Sequence, residues 1–137
     1  MKFLLDTNVV SELRKPRPHG AVLAWAEAVP VDALAMAAIV LFELQIGTEV
    51  LRRQDPKRAD EFDAWIGRIT TGTTVIPLDA ACAREAARLL EKQPMQLMAD
   101  AMIAATARVN GLTVATRNTR DFERFGVSLV NPFEFKG

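Results

Sequence analysis

The stretch Leu97-Met98-Ala99-Asp100-Ala101-Met102-Ile103-Ala104-Ala105-Thr106-Ala107, carried through Asn110-Gly111 into Leu112-Thr113-Val114-Ala115, reads as a helix handed directly to a strand. The Asn110-Gly111 pair is a helix C-cap signature, because glycine accepts the left-handed backbone that ends a helix. The helix is alanine-rich and apolar, so it belongs to a core, yet Asp100 opens it. After the strand, Thr116-Arg117-Asn118-Thr119-Arg120-Asp121-Phe122 brings a second acid within a short turn. The chain begins the same way, with the apolar run Phe3-Leu4-Leu5 ending at Asp6-Thr7-Asn8.

Working outward, helices and strands alternate. Lys2–Leu5 is a buried strand, and Asn8 caps a helix that starts near Val9 and ends before Pro16. Val22, Trp25, Ala26 and Val29 form the stripe of an amphipathic helix that Pro30 stops. Ala33–Met36 is a second strand, and a helix from about Ile39 to Arg53 follows. Asp55-Pro56 starts another as N-cap and first-turn proline, with Ala59, Phe62, Ile66 and Ile69 on one face. The last two helices form a hairpin whose outer surface carries Arg52, Arg53, Lys57 and Arg58. Thr73–Ile76 is a strand, Asp79 caps a helix running to about Lys92, and Pro94 breaks it. Val127–Val130 is a last short strand, after which Asn131-Pro132-Phe133 turns the chain away. This order implies one α/β domain over residues 1–137, a three-layer α/β/α sandwich around a mainly parallel sheet, with a protruding helical hairpin.

Composition narrows the chemistry. The chain has 137 residues, half of them hydrophobic, enough for a single core. No apolar run approaches the roughly 18 residues of a membrane span. Met1-Lys2-Phe3-Leu4-Leu5 reaches Asp6 too soon for a secretory h-region, so the expected location is the cytoplasm, without a membrane partner. Cys82 is the only cysteine and falls on a helical face with Ala86, Leu89 and Leu90, the pattern of a buried small hydrophobe. The one histidine, His19, sits in a Pro/Arg-rich loop, which argues against a Ser-His-Asp triad and leaves no His/Cys zinc cluster. No glycine-rich phosphate loop is present.

Acids are therefore the candidate chemistry. Asp6, Asp100 and Asp121 fall where strands end or helices begin, the edge at which open parallel sheets bind ligands. Glu43 is a fourth, inside the apolar helix Ile39-Val40-Leu41-Phe42-Glu43-Leu44-Gln45-Ile46-Gly47. Burying an unpaired carboxylate costs roughly several kcal/mol. Each acid has a plain alternative: Asp6 and Asp100 as N-caps, Asp121 as a turn residue, Glu43 as a helix edge facing water. Together, four carboxylates repel one another unless a hard cation such as Mg²⁺ or Mn²⁺ converts repulsion into coordination. Such ions support phosphodiester hydrolysis. Gly47, one turn beyond Glu43, allows either close approach at the site or tight helix packing. Net charge is zero, but setting the four acids aside leaves 17 basic residues against 13 acidic. The run Arg14-Lys15-Pro16-Arg17 is a candidate for holding RNA phosphates, with a solvated helix end as its alternative.

These segments resemble the PIN-domain family: Leu5-Asp6-Thr7-Asn8-Val9-Val10-Ser11-Glu12-Leu13; Phe42-Glu43-Leu44 with Gly47; Ala99-Asp100-Ala101-Met102-Ile103-Ala104-Ala105-Thr106-Ala107; and Thr116-Arg117-Asn118 with Asp121-Phe122. Within the family they look most like VapC-type and FitB-type toxins. The resemblance implies a Mg²⁺- or Mn²⁺-dependent endoribonuclease. Asp6, Glu43, Asp100 and Asp121 match its acidic quartet, with Asp6 and Asp100 as principal metal ligands. Thr116 and Asn118 match supporting polar positions, and Asn8 is grouped with them. It also implies a homodimer, a VapB-type antitoxin that blocks the site, and DNA contact only through that antitoxin. The chain departs from the pattern at Ala37-Ala38, where many relatives carry Ser or Thr, and at Pro94-Met95-Gln96, where a glycine is common. A PIN-like subunit that only binds is the alternative reading.

Overall fold

The computed structural model describes residues 1–137. Five strands form one sheet: β1 Phe3–Leu5, β2 Leu34–Ala37, β3 Thr74–Ile76, β4 Thr113–Ala115 and β5 Leu129–Val130. Their order is β3-β2-β1-β4-β5 and every pairing is parallel. Leu5 stands beside Met36 on one side and Ala115 on the other, so β1 is central. Seven helices connect the strands: α1 Thr7–Arg14, α2 Gly20–Ala28, α3 Ala38–Arg52, α4 Pro56–Gly72, α5 Ala80–Leu90, α6 Met98–Asn110 and α7 Thr119–Glu123.

The core follows the expected stripes. Leu4, Val9, Val22, Val40, Ile103, Ala104, Val114 and Phe122 are completely buried. Removing a large apolar side chain from water stabilises the fold by roughly 1.5–3 kcal/mol each. Alanines at positions 101, 104, 105 and 107 are buried in α6, which packs closely on α5 and also against β4. Gly111 ends α6 with φ 67, the left-handed cap read from Asn110-Gly111. Asp55 and Asp79 cap α4 and α5 by accepting from Arg58 N and Cys82 N. Cys82 is buried, and burial pushes its thiol up, consistent with a packed, inert side chain.

Several boundaries differ from expectation. Asp6, not Asn8, caps α1, accepting from Thr7 N at 2.8 Å. The helix therefore starts two residues early, and Asn8 is released for other contacts. Asp121 is not in a turn; it lies in α7, which Asn118 precedes. α5 ends at Leu90, before Lys92, which adopts φ 70. Trp25 belongs to the core at 3% exposure, packed edge-on against Phe3. Phe42, Ile46, Val50 and Met98 are among the exposed large apolar side chains, and Leu78 lines one recess with Phe42, Ile46 and Met98. No helix is long and apolar enough to cross a membrane.

Candidate functional site

In this strand order the chain proceeds from β1 outward to β3, then returns to lay β4 against the other side of β1. The switch point lies between β1 and β4, the place where open parallel sheets bind ligands beyond the C-terminal strand ends. The ladder runs up to this edge. Asp6 N donates to Ala115 O at 2.9 Å, and Thr116 N donates to Val130 O at 3.0 Å. Asp6 and Thr116 are thereby seated side by side.

Asp6 is the anchor, 4% exposed. Its Oδ1 accepts from Thr7 N, while Oδ2 accepts from Thr116 Oγ1 at 2.7 Å and Asn8 Nδ2 at 3.2 Å. A carboxylate offers about four lone-pair sites, so roughly one remains free. Burial pushes the Asp6 carboxyl up, Glu43 adds to the rise, and the three hydrogen bonds oppose it. Asn8 also accepts from Arg117 N at 3.2 Å, and Thr116 Oγ1 accepts from Asn118 N at 2.9 Å. Asn118 therefore contributes its backbone amide.

Glu43 reaches the same edge from the second turn of α3, where Thr7 Oγ1 donates to its Oε1 at 2.7 Å. Asp100 stands in the first turn of α6, half-buried and with no hydrogen-bond partner. Its carboxyl is pushed up to about 6, first by burial and then by the charges of Asp6, Asp121 and Glu43. All four acids thus share one electrostatic environment, and no basic side chain is among the groups acting on Asp100. They do not form a closed cage: no three acidic, histidine or cysteine side chains gather tightly enough to hold an ion alone.

The basic run separates. Arg14 stacks over Phe62, Lys15 pairs with Glu12 at 3.0 Å, and Arg17 is exposed. All lie at the far end of α1 from Asp6. Arg52 is held within the hairpin by Glu49, Asp60 and Asp63 rather than projecting from it. His19 caps α2 through Nδ1, away from any nucleophile. One further feature escapes a reading of the sequence: Thr7, because nothing local announces a partner 36 residues away. Of the two alternatives for Gly47, tight helix packing is excluded: the residue has open space where a Cβ would stand and lines a groove of about 320 Å³ with Glu43 and Thr7.

A parallel sheet with acids at its switch point defines an open, doubly wound α/β fold, and likeness to known proteins gives the family. The PIN domain model matches residues 3–127, and the chain belongs to the PIN-domain family. It is 37% identical to VapC ribonuclease Y4jK of Sinorhizobium fredii, covering 96% of this chain and 98% of that protein. It is 32% identical to toxin FitB of Neisseria gonorrhoeae, covering 96% and 98%. The crystal structure of FitAcB from Neisseria gonorrhoeae superposes with a TM-score of 0.84 at 30% identity, covering 97% of this chain and 99% of that one.

Proposed function

We propose that this chain is a Mg²⁺- or Mn²⁺-dependent endoribonuclease, the toxin of a type II toxin–antitoxin pair. What supports the reading most is that Thr7 Oγ1 ties Glu43 to the end of β1 beside Asp6, and that Asp100 lies near enough to Asp6, Asp121 and Glu43 for their charges to push its carboxyl up. The donor set fits a hard cation. It is all oxygen, and Asp100 is half-buried with both oxygens unclaimed. An open arrangement suits Mg²⁺, which usually takes one or two carboxylates and keeps several waters. Asp6 and Asp100 would hold the ion directly, with Glu43 and Asp121 beside it. A bound ion supplies Lewis acidity and an activated water at the phosphodiester.

The chain's own groups do the positioning. Thr116, Asn8 and Thr7 N lock Asp6 so that its free lone pair keeps one direction. Thr7 Oγ1 does the same for Glu43, tying α3 to the start of α1. Names borne by relatives support RNA as substrate and an antitoxin as partner. The exposed apolar strip of Phe42, Ile46, Val50 and Met98 supports a homodimer, with DNA reached only through the antitoxin.

Purified protein should cut RNA with Mg²⁺ or Mn²⁺ and stop on addition of EDTA. Asp6→Asn should abolish cutting while leaving the fold intact, and sequencing of RNA ends after induced expression would show the sites. Undiminished cleavage by Asp6→Asn at matched purity refutes the carboxylate site. RNA binding without cleavage by the wild type points to a silent binding subunit.

A further inference from the structure

Away from the carboxylates, α4 presents Arg58, Phe62, Trp65 and Arg68 at helical spacing on one face, and Arg14 of α1 lies against it. The Arg14 guanidinium sits 4.1 Å from the Phe62 ring centre and 5.8 Å from that of Trp65. Arg58 lies 5.7 Å from Phe62. None of the three arginines takes part in an ion pair; the pairs that form use Lys15, Arg52, Arg88 and Arg108. They surround a recess of about 230 Å³ whose single acidic residue, Glu61, binds none of them. The recess adjoins the groove below Glu43, and Arg14, Phe62 and Trp65 line both.

Such a cluster has its positive charge uncompensated and its rings partly open. Burial and then the neighbouring Arg58 charge push the Arg14 guanidinium down, and an anion held between the two would offset that charge. Guanidinium groups bind phosphates in a planar, two-pronged way, and aromatic rings stack on any base. Thr7, at the carboxylates, and Arg14 lie at opposite ends of α1, about 10 Å apart at 1.5 Å per residue. That is about three stacked nucleotide steps of about 3.4 Å.

We infer that Arg14, Arg58 and Arg68, with Phe62 and Trp65, form a subsite for single-stranded RNA. It takes a phosphate and a stacked base about three nucleotides from the bond held at the carboxylates. The inference rests on the ribonuclease reading and adds a binding register to it. An acidic peptide would meet the arginines but would not use the rings or the adjoining groove.

The test uses full-length protein, with Ca²⁺ in place of Mg²⁺, and a 12-nucleotide single-stranded RNA of mixed sequence as the probe. Trp25 is buried and Trp65 half-exposed, so quenching of tryptophan emission on RNA addition reports Trp65. Arg58→Gln/Arg68→Gln should bind RNA at least about tenfold more weakly. Its plot of log affinity against log salt should be shallower by about 0.7, the value for the one phosphate that the pair no longer neutralises. Phe62→Leu should weaken binding roughly 5- to 100-fold while keeping the slope. Arg58→Lys/Arg68→Lys should keep the slope, and thermal midpoints verify folding.

Wild-type affinity and slope in the glutamine double variant overturn the subsite. So does a variant that loses affinity for poly-glutamate but keeps it for RNA, which would make the face a dock for acidic protein. RNA cleavage by the wild type with Mg²⁺ is measured in parallel. Cleavage with an unchanged slope removes the subsite alone, and a flattened slope without cleavage removes the ribonuclease reading alone.

Discussion

Without metal, Asp100 should destabilise the protein that carries it, and Asp100→Asn should raise the melting temperature. Its carboxyl moves from 3.8 to about 6 on folding, with burial as the main cause and the other three acids adding to it. That difference corresponds to roughly 3 kcal/mol between protonation states. Asp100 is only half-buried, so solvent screening reduces the figure to about 1–2 kcal/mol. Removing a negative charge from the first turn of α6 forfeits about 0.3–1 kcal/mol of helix-dipole stabilisation. The net gain is about 1 kcal/mol, or roughly 3–5 °C for a chain of this length.

The pH dependence fixes the cause. Between 3.8 and about 6 the folded state holds a proton at Asp100 that the unfolded chain has released. This site's contribution to stability therefore falls as pH rises through that window. The penalty is complete above about 6 and absent below 3.8. Thermal melts of both proteins in EDTA at about pH 7.5 and about pH 3.5 should show the gap at the first and none at the second. Millimolar Mg²⁺ at the higher pH should raise the wild type more than the variant. Equal melting temperatures at the higher pH, or the same gap at both pH values, would refute the reasoning.

Other perturbations separate positioning from packing. Thr7→Val should lower RNA cleavage about tenfold by releasing Glu43, and Thr7→Ser should restore it; a rate unchanged in Thr7→Val removes the tether from the mechanism. Gly47→Leu should raise the KM for RNA by filling the groove. Removing a glycine from a helix interior also contributes about 0.5–1 kcal/mol, so its melting temperature should not fall. Gly111→Ala, forced into φ 67, should cost about 1 kcal/mol in urea denaturation without changing cleavage.

Elements are legible wherever pattern and punctuation agree. Asn110-Gly111 places the end of α6, Asp55-Pro56 the start of α4, and Val22, Trp25, Ala26 and Val29 the buried face of α2. Asp6 is legible as an acid at the end of an apolar strand, but its local use as the cap of α1 is decided only by the structure. The start of α1 is ambiguous in sequence because Asp6 and Asn8 are both good caps, and only contact with Thr116 decides between them. The Arg14-Lys15-Pro16-Arg17 run looks like one cluster because sequence shows proximity along the chain only. In space Lys15 answers Glu12 while Arg14 turns to rings on α4. The tie between Thr7 and Glu43 is likewise a product of topology, invisible to any window of neighbouring residues.

The placement of β4 against β1, rather than beside β3, has a consequence for synthesis. Domains are made from the N-terminus onward. Asp6 is made well before the hydroxyl that locks it, which belongs to Thr116, 110 positions later. A growing chain that has formed β1, β2 and β3 still lacks Asp100, Asp121 and the wall that seats Asp6. The proposed RNA-cutting site is therefore assembled only after Asp121 has been made.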